Sequence, residues 1–218
     1  MKKKRVIAIL LFILLTTINP HQEISFNKFN LKKIEIENNS LLDEKEIKKL
    51  LVSINNKNLI SLKFKEIENA LMKNNFIEGF NIKKKYPNTL KIKIFEKKPI
   101  AILINKKKKF YLSEKIDLIK FRNLQNYDDL PYVFGNENNF KIFYENLKEI
   151  NFPLSIIKKY TFFESNRWDI ETVDEKLIKL PTNNYSNSLE NYLKMRKKNN
   201  FNKYKIFDYR INNQIILK

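Results

Sequence analysis

No cysteine occurs anywhere in the 218 residues. That excludes disulfides, cysteine nucleophiles, thiolate metal ligands and lipid attachment through sulfur, and it is compatible with an oxidising compartment without requiring one. His21 is the sole histidine, and it stands beside an N-terminal apolar run. Histidine-based serine and cysteine triads and histidine metal sites are therefore ruled out. With Gly79 and Gly135 as the only glycines, there is no glycine-rich loop to cradle a phosphate. Carboxylates such as Glu164, Asp169, Glu171 and Asp208 are present. A hydrolase built on a carboxylate pair needs two of them across a cleft, and the sequence does not place them so. They read as strand-face charges. Trp168, the single tryptophan, reads as a core or interface anchor. No enzyme, cofactor or metal site is expected.

What the chain does have is apolar content of 43%, charged content of 31% and a formal net charge of +19. A folded core is therefore expected. Two readings of the charge stand side by side. One is an anionic partner. The other is codon usage in an AT-rich genome, which favours Lys, Asn and Ile. The lysines are scattered over alternate strand positions and polar helix faces. The one dense run, Lys106 to Lys109, looks like a hairpin tip.

The N-terminus reads MKKKR and then VIAILLFILLTTI. Val6 to Ile18 is about 13 residues, roughly 20 Å of helix against about 30 Å of hydrocarbon. The length resembles a signal-peptide core, yet no small residues follow to form a cleavage site. We expect an uncleaved signal anchor with the charges at Lys2 to Arg5 held inside; a cleaved signal peptide is the alternative. The expected division is 1–5 cytoplasmic tail, 6–18 membrane segment, 19–30 linker, 31–98 a small domain and 99–218 a β-rich domain.

Periodicity orders the rest. Ile34 and Ile36 alternate with Lys33, Glu35 and Glu37 as a strand. Ser40 and Asp43 are placed to cap a helix in S-x-x-D fashion, and Ile47, Leu50, Leu51 and Ile54 form its stripe. A second helix carries Phe64, Ile67, Ala70 and Leu71. A strand from Phe80 to Tyr86 pairs with Leu90 to Phe95, where Leu90, Ile92 and Ile94 alternate with Lys91, Lys93 and Phe95. Pro87 belongs in the turn between them. Strand, helix, helix, strand, strand makes a three-stranded sheet with two helices on one face. Pro99 then breaks the pattern, either as a domain junction or as the end of an ordinary hairpin. The remainder is α+β with a mostly antiparallel sheet: runs at 100–104, 110–112, 116–121 and 130–135, a helix over Phe140 to Ile150, a strand from Ile156 to Glu164, a hairpin of Arg167–Ile170 with Leu177–Pro181, a helix begun by Ser188, and closing strands Tyr204–Ile211 and Gln214–Leu217.

A basic N-terminus, one apolar segment, this module and YPNTLKIKIFEKKPIA together resemble the bacterial cell-division family FtsQ, called DivIB in Gram-positives. The module resembles its POTRA domain. Tyr86, Pro87 and Leu90 match the family's turn, and Glu96, Pro99 and Ala101 match its E-x-x-P-x-A exit. Arg167 and Trp168 (RWDIET), Leu180 and Pro181 (IKLP) and Asp208 (FDYRINNQIILK) follow in order. The chain departs from the family in a cytoplasmic tail of a few residues, a short membrane segment, and Glu114-Lys115 where a glycine is usual. The resemblance implies a non-enzymatic, single-pass type II inner-membrane scaffold at the division septum. Its periplasmic bulk would recruit FtsB-like and FtsL-like proteins, with the septal synthase FtsW/FtsI as a further expected contact, and would involve neither nucleic acid nor a small-molecule substrate. The competing readings are a POTRA component of outer-membrane assembly or secretion, and a basic exported protein that binds an anionic polymer.

The resemblance also implies partner binding at a sheet edge near the C-terminus. Gln214, Ile215, Ile216 and Leu217 form an apolar stretch with no later strand to cover it. Ile215 and Leu217 share one face, Gln214 and Ile216 the other. The expected contacts are Tyr209, Ile211 and Ile216 through their side chains and Arg210 through an acidic partner residue. The plainer reading is a strand inside the sheet that closes the core.

Overall fold

The computed structural model describes residues 2–16, 26–125, 127–211 and 214–218. The first helix, α1 (Lys2–Thr16), is basic at its start and then apolar, and leaves Val6, Ile7, Ile9 and Leu10 exposed. No helix among the described residues is long and apolar enough to cross a membrane. The end of the expected membrane segment, Thr17 and Ile18, and the linker as far as Ser25 lie outside the described residues.

The small unit is built on β1 (Lys33–Glu37), α2 (Glu44–Leu50), α3 (Phe64–Leu71), β2 (Ile77–Lys85) and β3 (Thr89–Glu96). The expected Ser40–Asp43 capping pair does not form. Asp43 alone caps α2, accepting from the Lys45 N–H at 3.3 Å, while Ser40 turns to Glu96. After α2 the chain tightens into a single turn at Val52–Ile54, which keeps Ile47, Leu51 and Ile54 on one buried stripe. Phe64 lies outside the core and stacks on Phe80 at 5.3 Å. β3 is central, parallel to β1 and antiparallel to β2, and the Tyr86–Pro87 peptide in the hairpin turn is cis. Leu90, Ile92 and Ile94 are fully buried beneath the helices. On the opposite face Lys91 pairs with Glu37, and Lys33 and Lys85 both reach Glu35. Hydrogen bonds from those two lysines hold the Glu35 carboxyl down at about 2.

The second unit contains β4 (Pro99–Asn105), β5 (Lys108–Ser113), β6 (Leu118–Lys120), β7 (Tyr132–Phe134), α4 (Glu137–Glu149), β8 (Ile157–Phe163), β9 (Arg167–Thr172), β10 (Leu177–Lys179), α5 (Tyr185–Arg196), β11 (Ile206–Asp208) and β12 (Ile216–Leu217). They form one sheet in the order β12-β11-β10-β9-β8-β7-β4-β5-β6. It is more mixed than expected: β4–β7, β7–β8 and β10–β11 pair parallel. The cause is the connectivity. A helix between two strands carries the chain back to the starting end of the sheet, so β7-α4-β8 and β10-α5-β11 are crossovers.

α5 begins at Tyr185, one turn before Ser188, after Asn184 in the left-handed conformation. The closing strands are also shorter than expected. The Arg210 N–H bonds the Asp208 carboxylate at 3.1 Å instead of a ladder carbonyl, which ends β11. The Gln214 N–H bonds the Ile211 carbonyl in a turn before β12.

α4 and α5 cover one face of the sheet. Phe140, Phe143, Leu189 and Tyr192 pack there on Leu103, Val133, Tyr160, Ile170, Ile178 and Phe207. At the β4–β6 end the other face carries Ile102, Tyr111 and Ile119 into the core of the small unit. The two units therefore share buried surface.

Candidate functional site

β12 is the outermost strand at one end of the large sheet. Its inner side is tied to β11. Lys218 and Ile206 exchange both backbone bonds, at 3.1 and 2.9 Å. Bonded and non-bonded pairs alternate along an antiparallel ladder. The register places Asp208 opposite Ile216 and Phe207 opposite Leu217, so the inward-bonding residue within β12 is Ile216. The N–H and C=O of Leu217 point away from β11, towards the open edge. The side chains follow the pleat. Ile215 and Leu217 pack on the α4–α5 core, while Gln214 and Ile216 are exposed. Ile211 is 50% exposed beside them.

Two expected contacts are placed differently. Tyr209 is buried, and its hydroxyl donates to Asn191 Oδ1 of α5 at 3.0 Å. Burial pushes its hydroxyl pKa up. It is part of the wall behind the edge, with little side chain left for a partner. Arg210 already has an acidic neighbour: its Nε and Nη2 groups donate to Asp208 Oδ1 and Oδ2 at 2.8 and 2.6 Å. These bonds lower the Asp208 carboxyl below its ordinary value. The Arg210 side chain remains about 44% exposed, but it reaches a partner only as one member of that pair. Beside the edge, Pro181, Asn187, Asn191, Tyr209, Ile211 and Ile215 help line an open cleft of about 520 Å³.

The motif residues have structural roles elsewhere. Glu96 reaches across the small unit to the loop before α2. Its Oε2 accepts from the Ser40 N–H (2.9 Å), the Ser40 hydroxyl (2.7 Å) and the Leu41 N–H (2.8 Å), and its Oε1 accepts from the Leu42 N–H (2.8 Å). Pro99 opens β4, and Ala101 is buried two residues later under the α4–α5 layer. Leu90 is core, whereas Tyr86 is exposed with its ring edge-on to Phe29 at 6.3 Å. Trp168 stacks on Phe143 at 4.9 Å, and Leu180 is fully buried. Arg167 lies over the Phe163 ring and 3.4 Å from Asp169, whose carboxyl is nevertheless raised because burial outweighs the arginine.

Sequence reasoning left the packing role of Gly135 open and missed Arg122. Gly135 sits so close to the tryptophan shelf that a Cβ there would lie 2.9 Å from Phe162 Cβ and 3.3 Å from the Trp168 ring. Arg122 clamps the two units together: Nη1 meets Glu46 Oε2 at 2.9 Å, Nη2 donates to the Leu41 carbonyl at 2.5 Å, and the guanidinium lies 4.4 Å above the Phe76 ring. A glycine closing an apolar strand was a visible signal for the first. No local pattern announces the second.

Residues 29–97 match the family model described as POTRA domain, FtsQ-type. The cell division protein FtsQ of Rickettsia conorii is 30% identical over 206 residues, which cover 93% of this chain and 77% of that relative. FtsQ of Rickettsia felis is equally similar over the same share of both chains. DivIB of Clostridium tetani is 29% identical over 181 residues, covering 69% of this chain and 68% of that protein. A POTRA-type unit fused to this mixed sheet, with relatives aligned across both, places the chain in the FtsQ/DivIB family of cell-division proteins.

Proposed function

We propose that the chain is a non-enzymatic membrane-attached scaffold of the division machinery, and that it captures an FtsB-like partner by strand addition at β12. FtsL-like proteins and the septal synthase would join through that contact. The single observation that carries the reading is the outward-facing backbone of Leu217 at an edge with exposed Ile216 and Ile211. An incoming strand would complete that N–H and C=O, and the apolar side chains would lose water as it docked. The exposed apolar surface of α1, behind Lys3, Lys4 and Arg5, supports attachment to a bilayer with the N-terminus on the cytoplasmic side.

The test compares two substitutions at one position. Leu217→Ala and Leu217→Pro both lose the same packing on the core, but only proline loses the outward N–H. Partner affinity is measured with the full chain in nanodiscs. Leu217→Pro is expected to bind at least tenfold more weakly than Leu217→Ala, about 1.4 kcal/mol. Equal affinity for the two variants would show that the edge is not the recruitment site. Ile216→Pro is unsuitable, because the Ile216 N–H belongs to the inner ladder.

A further inference from the structure

We propose that β6, the opposite edge of the large sheet, is a second recruitment edge that takes an acidic segment in extended conformation. The backbone argument is the same as for β12 but rests on separate residues. The Ser113 N–H bonds the Asp117 carbonyl at 3.0 Å, and Tyr111 stands opposite Ile119. Alternation along the ladder then turns the N–H and C=O of both Leu118 and Lys120 outward. Two outward residues separated by one, about 6.6 Å apart, are the repeat that an added strand reads.

The side chains say which strand. Leu118 is 38% exposed and, with Phe110 and Phe121, lines an open cleft of about 710 Å³. Lys107, Lys108, Lys109 and Lys120 are all exposed around it. Among the described residues none of these four lysines has a carboxylate within ion-pair distance, whereas lysines nearby, such as Lys97 and Lys115, are paired with Asp117 and Glu78. Lysines on an edge strand ordinarily bar other chains. Here they bar basic ones, including a second copy of this chain with its formal charge of +19. To a strand with glutamate or aspartate at alternate positions the same lysines are attractive. Lys106 and Lys107 form the β4–β5 turn with both residues at positive φ, 44° and 69°, where Asn-Gly would be the undemanding choice. The turn therefore presents its charges at some conformational cost.

The probe is a labelled octapeptide of alternating glutamate and valine, titrated into the full chain in zwitterionic nanodiscs. An analogue of equal charge with proline at the valine positions, heparin, and vesicles containing anionic lipid serve as non-strand polyanions. The octapeptide is expected to bind at least tenfold more tightly than the proline analogue. Leu118→Pro, which spares the inner ladder, and the triple change Lys107→Glu, Lys109→Glu, Lys120→Glu should each weaken it tenfold or more. Leu217→Pro should leave it unchanged, which separates this site from β12. If Leu118→Pro disturbs folding, hydrogen exchange of the wild-type chain decides: the Leu118 and Lys120 amides should slow when the octapeptide binds. Equal binding of octapeptide, proline analogue and heparin would overturn the proposal in favour of a plain polyanion patch. Loss of binding with Leu217→Pro but not with Leu118→Pro would overturn it in favour of β12, and unprotected amides at 118 and 120 would refute strand addition outright.

Discussion

Replacing Glu96 by alanine removes one carboxylate and orphans four donors in three consecutive residues: the N–H groups of Ser40, Leu41 and Leu42 and the Ser40 hydroxyl. Hydrogen bonds to a charged acceptor contribute about 1.5–3 kcal/mol each when sheltered. The two Ser40 donors are exposed, so water replaces Glu96 there at little cost. The Leu41 and Leu42 N–H groups are half-buried and account for most of the loss. After discounting for solvent, Glu96→Ala is expected to cost about 2–3 kcal/mol. Urea unfolding of the full chain reads the magnitude, and hydrogen exchange at Leu41 and Leu42 reads the location. Glu96→Asp should recover little, because the side chain is one methylene short of the loop. A loss below about 0.5 kcal/mol, or unchanged exchange at both leucines, would refute the reasoning. Arg122 bonds the Leu41 carbonyl from the other unit, so the same loop is gripped from two sides. The double variant Glu96→Ala/Arg122→Ala should therefore depart from additivity by at least about 0.5 kcal/mol.

Further predictions concern the sheet. Gly135→Ala forces a methyl to 2.9 Å from Phe162 Cβ, and overpacking of this kind costs about 1–3 kcal/mol; thermal unfolding followed by Trp168 fluorescence measures it. Asp208 has its folded pKa lowered by Arg210. Its contribution is thus fully present above the unfolded value of about 3.9 and is lost as pH falls through the lower folded value. Asp208→Asn should be less stable than wild type in urea at about pH 7, with the gap closing as pH falls through the lowered folded value of Asp208. Tyr209→Phe removes the hydroxyl bonded to Asn191 and should lower stability by about 1 kcal/mol. It should also leave partner affinity at β12 unchanged within twofold, since that side chain faces inward.

The elements legible in the sequence were those whose periodicity is enforced by one buried face. Leu90, Ile92 and Ile94 alternate because β3 is covered on one side, and the stripe Phe140, Phe143, Leu147 repeats because α4 lies flat on the sheet. The parallel pairs were within reach too, since a strand, a helix and a strand in succession imply a crossover. What escaped depends on distant partners. The phase of hydrogen bonding in β12 is set by its register on β11, so no pattern in Gln214 to Leu217 says that Leu217, and not Ile216, bonds outward. Tyr209 looked available because it falls in an expected closing strand at the C-terminal edge. It turns inward because Asn191, 18 positions earlier, lies where its hydroxyl ends. Glu96 carried a family resemblance but no visible role, as its four donors are 54–56 residues upstream.

The shortness of β12 has a mechanical consequence. A load applied at the sheet edge in the plane of the sheet, across the strands, peels a ladder bond by bond instead of shearing all its bonds at once. β12 holds β11 over two paired residues and the Lys218–Ile206 exchange beyond them, whereas β8 and β9 are joined along six. Among the sheet's own seams, β11–β12 is therefore the one that tension between a membrane-attached N-terminus and a partner bound at β12 would open first. The chain's own last strand would come away still paired to the partner and still joined to β11 by the covalent chain, and the nine-stranded sheet behind would lose only that outermost strand. The end of the chain thus acts as an extensible tether, and lengthening β12 would raise the work needed to draw it out, one ladder bond after another, without changing a single contact to the partner.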